Sequence, residues 1–233
     1  MAGNHTMIDL HSHLLAGLDD GPRTLEQSLQ LANIAFQDGT TTIACTPHCA
    51  EDSCPSTERM GEAFAALEEA LPSAGLQNLH LICGAEMMIG PDLTVYLERN
   101  PHLTYGGAGR YCLVELPLVD YPLYTSRVLF DLLIAGLQPI LAHPERNARL
   151  QREPHLVGQY VDRGVWVQVN AGSFLGHYGN QAERTARDFL RRGWVQIIAS
   201  DGHNAQSRPP GLSRALKEVG WSVPAPFLPE AFP

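Results

Sequence analysis

Seven short runs of β-branched and apolar residues recur along the 233-residue chain, at residues 7–10, 41–45, 80–83, 111–114, 138–142, 165–169 and 195–199. Each ends in polar residues, and each is followed by a stretch with helical spacing, at 22–38, 56–71, 91–99, 124–135, 154–163, 181–192 and 209–219. In the first of these Leu25, Leu29, Ala32 and Phe36 share one face, and Gly39 ends the run. A strand-helix unit repeated seven times predicts an α/β fold with a parallel sheet covered by helices. Right-handed crossovers leave an open doubly wound sheet or a closed barrel, and in a barrel the chemistry collects at the C-terminal strand ends. At this length, with 44% hydrophobic residues, one core suffices, so a single domain is expected over residues 7–220. A short extension, 1–6, precedes it and a proline-rich tail, 221–233, follows.

Several chemistries are excluded at once. The formal charge of −9 gives no general attraction for nucleic acid, so an anionic substrate must be held by local positive charge. Lys217 is the only lysine beside fifteen arginines, and it lies far from every metal-type motif, which excludes Schiff-base and carbamylated-lysine mechanisms. None of the five cysteines has arginine six positions later, so a cysteine-dependent tyrosine phosphatase loop is absent. Their spacing matches no zinc ribbon, and free thiols are expected. With no secretory signal and no uninterrupted apolar span, the expectation is a soluble cytoplasmic protein without membrane insertion.

What stands at the strand ends is more specific. The first strand runs into His11-Ser12-His13 and then Asp19-Asp20-Gly21, the second ends at His48, the third at Glu86 and the fourth at Glu115. The fifth ends at His143-Pro144-Glu145-Arg146, and the seventh at Asp201-Gly202-His203. A lone histidine in such a place is usually structural. His-x-His is a stronger signal, because residues i and i+2 of an extended strand point the same way and reach one ion. Nine nitrogen and oxygen ligands converging on one rim would be electrostatically costly without cations. His80, His102, His155 and His177 fall outside this pattern and read as surface or structural residues.

These motifs, in this order and with Arg208-Pro209-Pro210 after them, resemble the polymerase and histidinol phosphatase (PHP) superfamily. The likeness is to its bacterial manganese-dependent tyrosine phosphatase branch, the CpsB-like proteins of capsule and exopolysaccharide synthesis, and it covers residues 7 to about 219. The resemblance implies an irregular (β/α)7 TIM-like barrel holding three divalent ions. One would take His11, His13, Glu86 and Asp201; a second would share Glu86 and add Glu115 and His143; the third would take Asp20, His48 and His203. The family's preference is manganese, whereas a thiolate-free ligand set also admits iron or zinc. Three such cations against four carboxylates leave about two net positive charges to meet a phosphate dianion.

By the same resemblance, hydroxide between two metals attacks phosphorus while Arg146 and Arg208 hold the non-bridging oxygens in their planar forks. Asp20, His48 and His203 are the candidates to protonate the leaving group. The implied substrate is a phosphotyrosine protein, a bacterial tyrosine autokinase. A phosphatase for a small metabolite such as histidinol phosphate, or a metal-stabilised binding module without catalysis, would share the same ligands.

Overall fold

The computed structural model describes residues 7–221, so the extension 1–6 and, Trp221 apart, the tail 221–233 lie outside the described residues. The elements are β1 (Met7–Ser12), α1 (Leu25–Asp38), β2 (Thr40–Cys45), β3 (His48–Cys49), α2 (Thr57–Ala70), β4 (His80–Cys83), β5 (Glu86–Met88), α3 (Leu93–Arg99) and β6 (Tyr111–Glu115). They continue as α4 (Thr125–Ile134), β7 (Gln138–Ala142), α5 (Ala148–Arg152), α6 (His155–Val161), β8 (Trp166–Asn170), α7 (Ala171–Phe174), α8 (Gly179–Arg191), β9 (Ile197–Ala199) and α9 (Ser213–Val219). Two of the seven expected strands are broken: β3 continues β2 beyond Thr46-Pro47, and β5 continues β4 beyond Gly84-Ala85. Every ladder is parallel, in the orders β1-β2-β4 and β3-β5-β6-β7-β8-β9.

The last strand returns to the first through an irregular seam. A bridge joins Ser12 to Gly202, and the Asp201 N–H donates to the His11 carbonyl at 2.8 Å. Lower down, the buried carboxylate of Asp9 takes the place of a backbone acceptor, receiving the Ser200 N–H at 2.9 Å. This is the irregular seven-position barrel that the family resemblance implies, closed by a few bonds where a regular barrel has a full ladder.

Period-two alternation sorts the side chains. Ile8, Leu10, Leu113, Ile140, Ile197 and Ala199 fill the interior, while Val114, Leu141, Val167, Val169 and Ile198 pack outward in the core shared with the helices. Two residues further along the same faces the interior turns polar, from Leu113 to Glu115 and from Trp166 through Gln168 to Asn170. The barrel is therefore apolar at its base and carries its polar groups at the C-terminal rim. Tyr105, between α3 and β6, adds to the interior and donates its hydroxyl hydrogen bond to the Leu10 carbonyl at 2.6 Å.

Local chemistry sets the element limits. α1 begins three residues later than the apolar spacing predicts because Thr24 caps it, accepting from the Gln27 N–H. α9 begins at Ser213 because Pro209 and Pro210 supply no backbone donor; the Asp38 carboxylate receives the free N–H groups of Leu212 and Ser213 at 2.7 and 2.8 Å. α5 and α7 escape a periodicity reading because each is shorter than two turns; α5 is nucleated by Asn147, whose side chain accepts from Arg149 and Leu150. One expectation is corrected. Cys45, Cys83 and Cys112 are free, but Cys49 and Cys54 form a disulfide, because the turn after β3 brings their Cα atoms to 4.2 Å. No helix of the described residues is long and apolar enough to cross a membrane.

Candidate metal centre

All nine residues singled out at the strand ends meet at the C-terminal rim. The register of β1 on β2 slips between Asp9 and Ser12, an irregularity of the kind that re-aims side chains. His11 and His13 consequently turn their Nε2 atoms toward one point, 3.3 Å apart. Glu86, at the start of β5, lies at the centre: its Oε2 is 3.3 Å from both of those nitrogens and 2.9 Å from His48 Nδ1, and its Oε1 is 2.8 Å from His143 Nε2. Glu115 Oε1 lies 3.7 Å from His143 Nε2. Asp20 Oδ1 lies 3.2 Å from His203 Nε2 and 3.4 Å from His48 Nε2 at the solvent side.

The ligand atoms form four overlapping groups, each within 4.8 Å: His13, Asp20, His48 and His203; His11, Glu86 and His143; His11, His13 and Asp201; and His48, Glu86 and Glu115. Compared with the partition implied by resemblance, the third ion's set gains His13, and Glu115 lies 3.7 Å from both His48 and His143. Two of the members, His143 at φ 31° and Asp201 at φ 54°, are the non-glycine residues with positive φ among the described residues. Backbone strain of this kind persists where surrounding structure over-determines a functional geometry. Gly202 is required by packing, since a Cβ there would lie 2.7 Å from the Cβ of Pro210.

A second ring of residues orients the first, and most of it was not singled out from the sequence. Asp19 Oδ2 receives His13 Nδ1 at 2.6 Å and the His48 N–H at 3.0 Å, leaving His13 Nε2 for the cluster. Gln168 Oε1 pairs with His11 Nδ1 at 3.0 Å, and Asn170 Nδ2 donates to Asp201 Oδ2 at 2.6 Å. The signal existed: Gln168 and Asn170 alternate with Val167 and Val169, so two polar residues on a barrel strand had to face inward.

These groups fit divalent cations. Asp201 Oδ1 and His203 Nε2 are buried without a hydrogen bond among the described residues, facing cluster members at 3.2 to 3.6 Å. Burial pushes the Glu86 carboxyl up, but the charges and hydrogen bonds of His11, His13 and His143 outweigh it and hold its pKa well below the usual range. Burial and the neighbouring Glu86 charge push Glu115 up. Burial opposes charge on His13 too, yet its bonds to Asp19 and Glu86 raise it to about 10. His203 is lowered to about 4 by burial and by the His13 charge.

A metal-free chain at neutral pH therefore carries protons in this pocket, at least on His13, and a cation must displace them. With His13 protonated below about 10, apparent metal affinity rises with pH and binding near pH 7 releases protons. Calorimetric titration of manganese in buffers of different ionisation enthalpy should give buffer-dependent heats. Identical heats in every buffer would contradict the displacement.

Beside the ligands stand both predicted arginines. Arg146 and Arg208 each donate to Asp201 Oδ2, at 2.8 and 2.6 Å, and Arg208 Nε is buried without a partner among the described residues. The loop carrying Arg208 is pinned by Asn204, whose Oδ1 accepts from the N–H groups of Gln206, Ser207 and Arg208. A cleft of about 510 Å³ opens over His48, Glu86 and Glu115, walled by Cys49, Ala50, Ser53 and Met88. His80, His155 and His177 are exposed and His102 bonds Thr57, so none of the four joins the cluster.

The chain is similar to known proteins over nearly its whole length. A family model for capsular polysaccharide synthesis proteins, CpsB/CapC, matches residues 7–223. The tyrosine-protein phosphatase YwqE of Bacillus subtilis is 31% identical over 225 residues, covering 94% of this chain and 87% of YwqE. The tyrosine-protein phosphatase CpsB of Streptococcus pneumoniae is 31% identical over 232 residues, covering 97% and 95%. A crystal structure from work on YwqE and CpsB, described as unique metal-dependent tyrosine phosphatases, superposes with a TM-score of 0.85 at 29% identity, covering 91% of this chain and 85% of that one.

Proposed function

The chain belongs to the CpsB/CapC family of capsular polysaccharide synthesis, and from that premise we propose that it hydrolyses phosphotyrosine in proteins by a metal-dependent route. The observation that carries the reading is the convergence of nine nitrogen- and oxygen-bearing side chains at one barrel rim, next to two arginines aimed at the same place. The names of YwqE and CpsB supply the substrate class.

Divalent cations held by His11, His13, Asp20, His48, Glu86, Glu115, His143, Asp201 and His203 would activate water and draw charge from the phosphoryl oxygens. Three such ions, manganese by the family's preference, suit this number of ligands. The chain's own residues do the remaining work. Arg146 and Arg208 hold non-bridging oxygens; their shared acceptor, Asp201 Oδ2, occupies few of the donors on two guanidinium groups. Asp19, Gln168 and Asn170 keep His13, His11 and Asp201 in register with one another. The open cleft beside Met88 accommodates the phenyl ring, and Asp20 and His48 stand at the solvent side where the phenol departs. His203, lowered to about 4, is neutral at pH 7 and serves better as a ligand than as a proton donor. The natural substrate on this reading is a tyrosine autokinase of capsule or exopolysaccharide synthesis, met in the cytoplasm.

Chelation should abolish hydrolysis of p-nitrophenyl phosphate, and added manganese should restore it. Full activity in a metal-free preparation would refute the reading. A phosphotyrosine peptide should be hydrolysed in preference to histidinol phosphate; the opposite order would redirect the assignment to a small metabolite.

A further inference from the structure

We propose that Tyr178 is a positioning residue for phosphate capture, coupling Arg146 and Arg208 into one clamp. The proposal rests on the metal-dependent phosphatase reading. The two arginines come from separate segments, one following β7 and one following β9, and each has few contacts to fix its guanidinium. Both donate to Asp201 Oδ2, and Arg208 has Asp20 at the longer distance of 3.9 Å. Tyr178 stands next to both. Its ring lies under the Arg146 guanidinium, 4.3 Å from ring centre to Cζ, and it lines one pocket with Arg208.

The arrangement answers a physical difficulty. Two guanidinium groups converging on one oxygen repel each other, and Asp201 also faces the ligand cluster with its second oxygen. An aromatic face and a phenol oxygen attract cations without bringing a competing negative charge. Tyr178 thus holds both arginines and leaves their positive charge for the incoming anion. A carboxylate in its place would neutralise the clamp.

Tyr178 is itself on a hydrogen-bonded turn. It sits between α7 and α8, where the His177 N–H donates to the Gly172 carbonyl at 3.0 Å and Arg187 donates to the Phe174 carbonyl at 3.0 Å. The ring lies so close to Gly172 that a Cβ there would be 3.1 Å from Tyr178 Cε2. The segment 174–179 therefore presents a packed aromatic ring to the arginines.

The test uses the full chain loaded with manganese and two substitutions. Tyr178→Phe keeps the ring over Arg146 and loses the phenol oxygen; Tyr178→Ala loses both. Expected are a KM for p-nitrophenyl phosphate raised about fivefold in the first and kcat/KM lowered about 30-fold in the second, with metal content and melting temperature as in the parent. The dissociation constant of inorganic phosphate, measured by titration calorimetry, should weaken in the same order. Parental KM and phosphate affinity in Tyr178→Ala would overturn the proposal, as would a loss that merely tracks metal loss. A parent chain that binds phosphate but hydrolyses nothing would sink the phosphatase reading, while the phosphate affinity of Tyr178→Ala would still decide the clamp.

Discussion

Glu86→Ala should cost on the order of a thousandfold in kcat/KM for p-nitrophenyl phosphate, the equivalent of roughly 4 kcal/mol of transition-state stabilisation by a bound metal. The reason lies in its position. Glu86 is buried at the start of β5 and approaches His11, His13, His48 and His143 within 3.3 Å. Its carboxylate stays ionised because those imidazoles outweigh the effect of burial. Removing it reduces two of the four ligand groups from three members to two. Bound metal per chain, measured by mass spectrometry of the metals, should fall with activity while the circular dichroism spectrum stays that of a folded chain. Glu86→Gln should resemble the alanine variant, since it keeps shape and loses charge. Parental metal content in either variant would contradict the central placement of Glu86.

Arg208→Ala should lower kcat/KM by about 100-fold, the usual scale for one preorganised donor at a developing charge, with metal content unchanged. Arg146→Ala should do the same. The two effects should not multiply in the double variant, because both guanidinium groups share Asp201 Oδ2 and both stand beside Tyr178. Lysine should rescue neither, since a point charge cannot reproduce a planar fork, which at Arg146 also stacks over an aromatic face. Loss of metal on substituting either arginine would place that residue in the support of Asp201 instead.

Much of this was legible in the chain before any coordinates. Apolar runs alternating with helical spacing announced seven strand positions, and His11, His13, Asp201 and His203 announced a rim, because i and i+2 share a strand face. The breaks at Thr46-Pro47 and Gly84-Ala85 were not legible as breaks, since apolar content marks burial and says nothing of where a ladder changes partner. Nor was the Cys49–Cys54 bond, whose spacing matches no recurring motif and whose formation depends on the turn after β3. Tyr178 was not singled out, because only its contacts distinguish it.

The order of residues alone determined which atoms are available as ligands, and that they fall at strand ends, because composition and strand period are local properties. Folding decided which atoms share a point: the slip in β1, the seam through Asp201 and the left-handed backbone at His143 come from packing between segments distant in sequence. Distances of 3 Å between residues separated by more than a hundred positions depend on every turn between them, and no spacing rule carries that information.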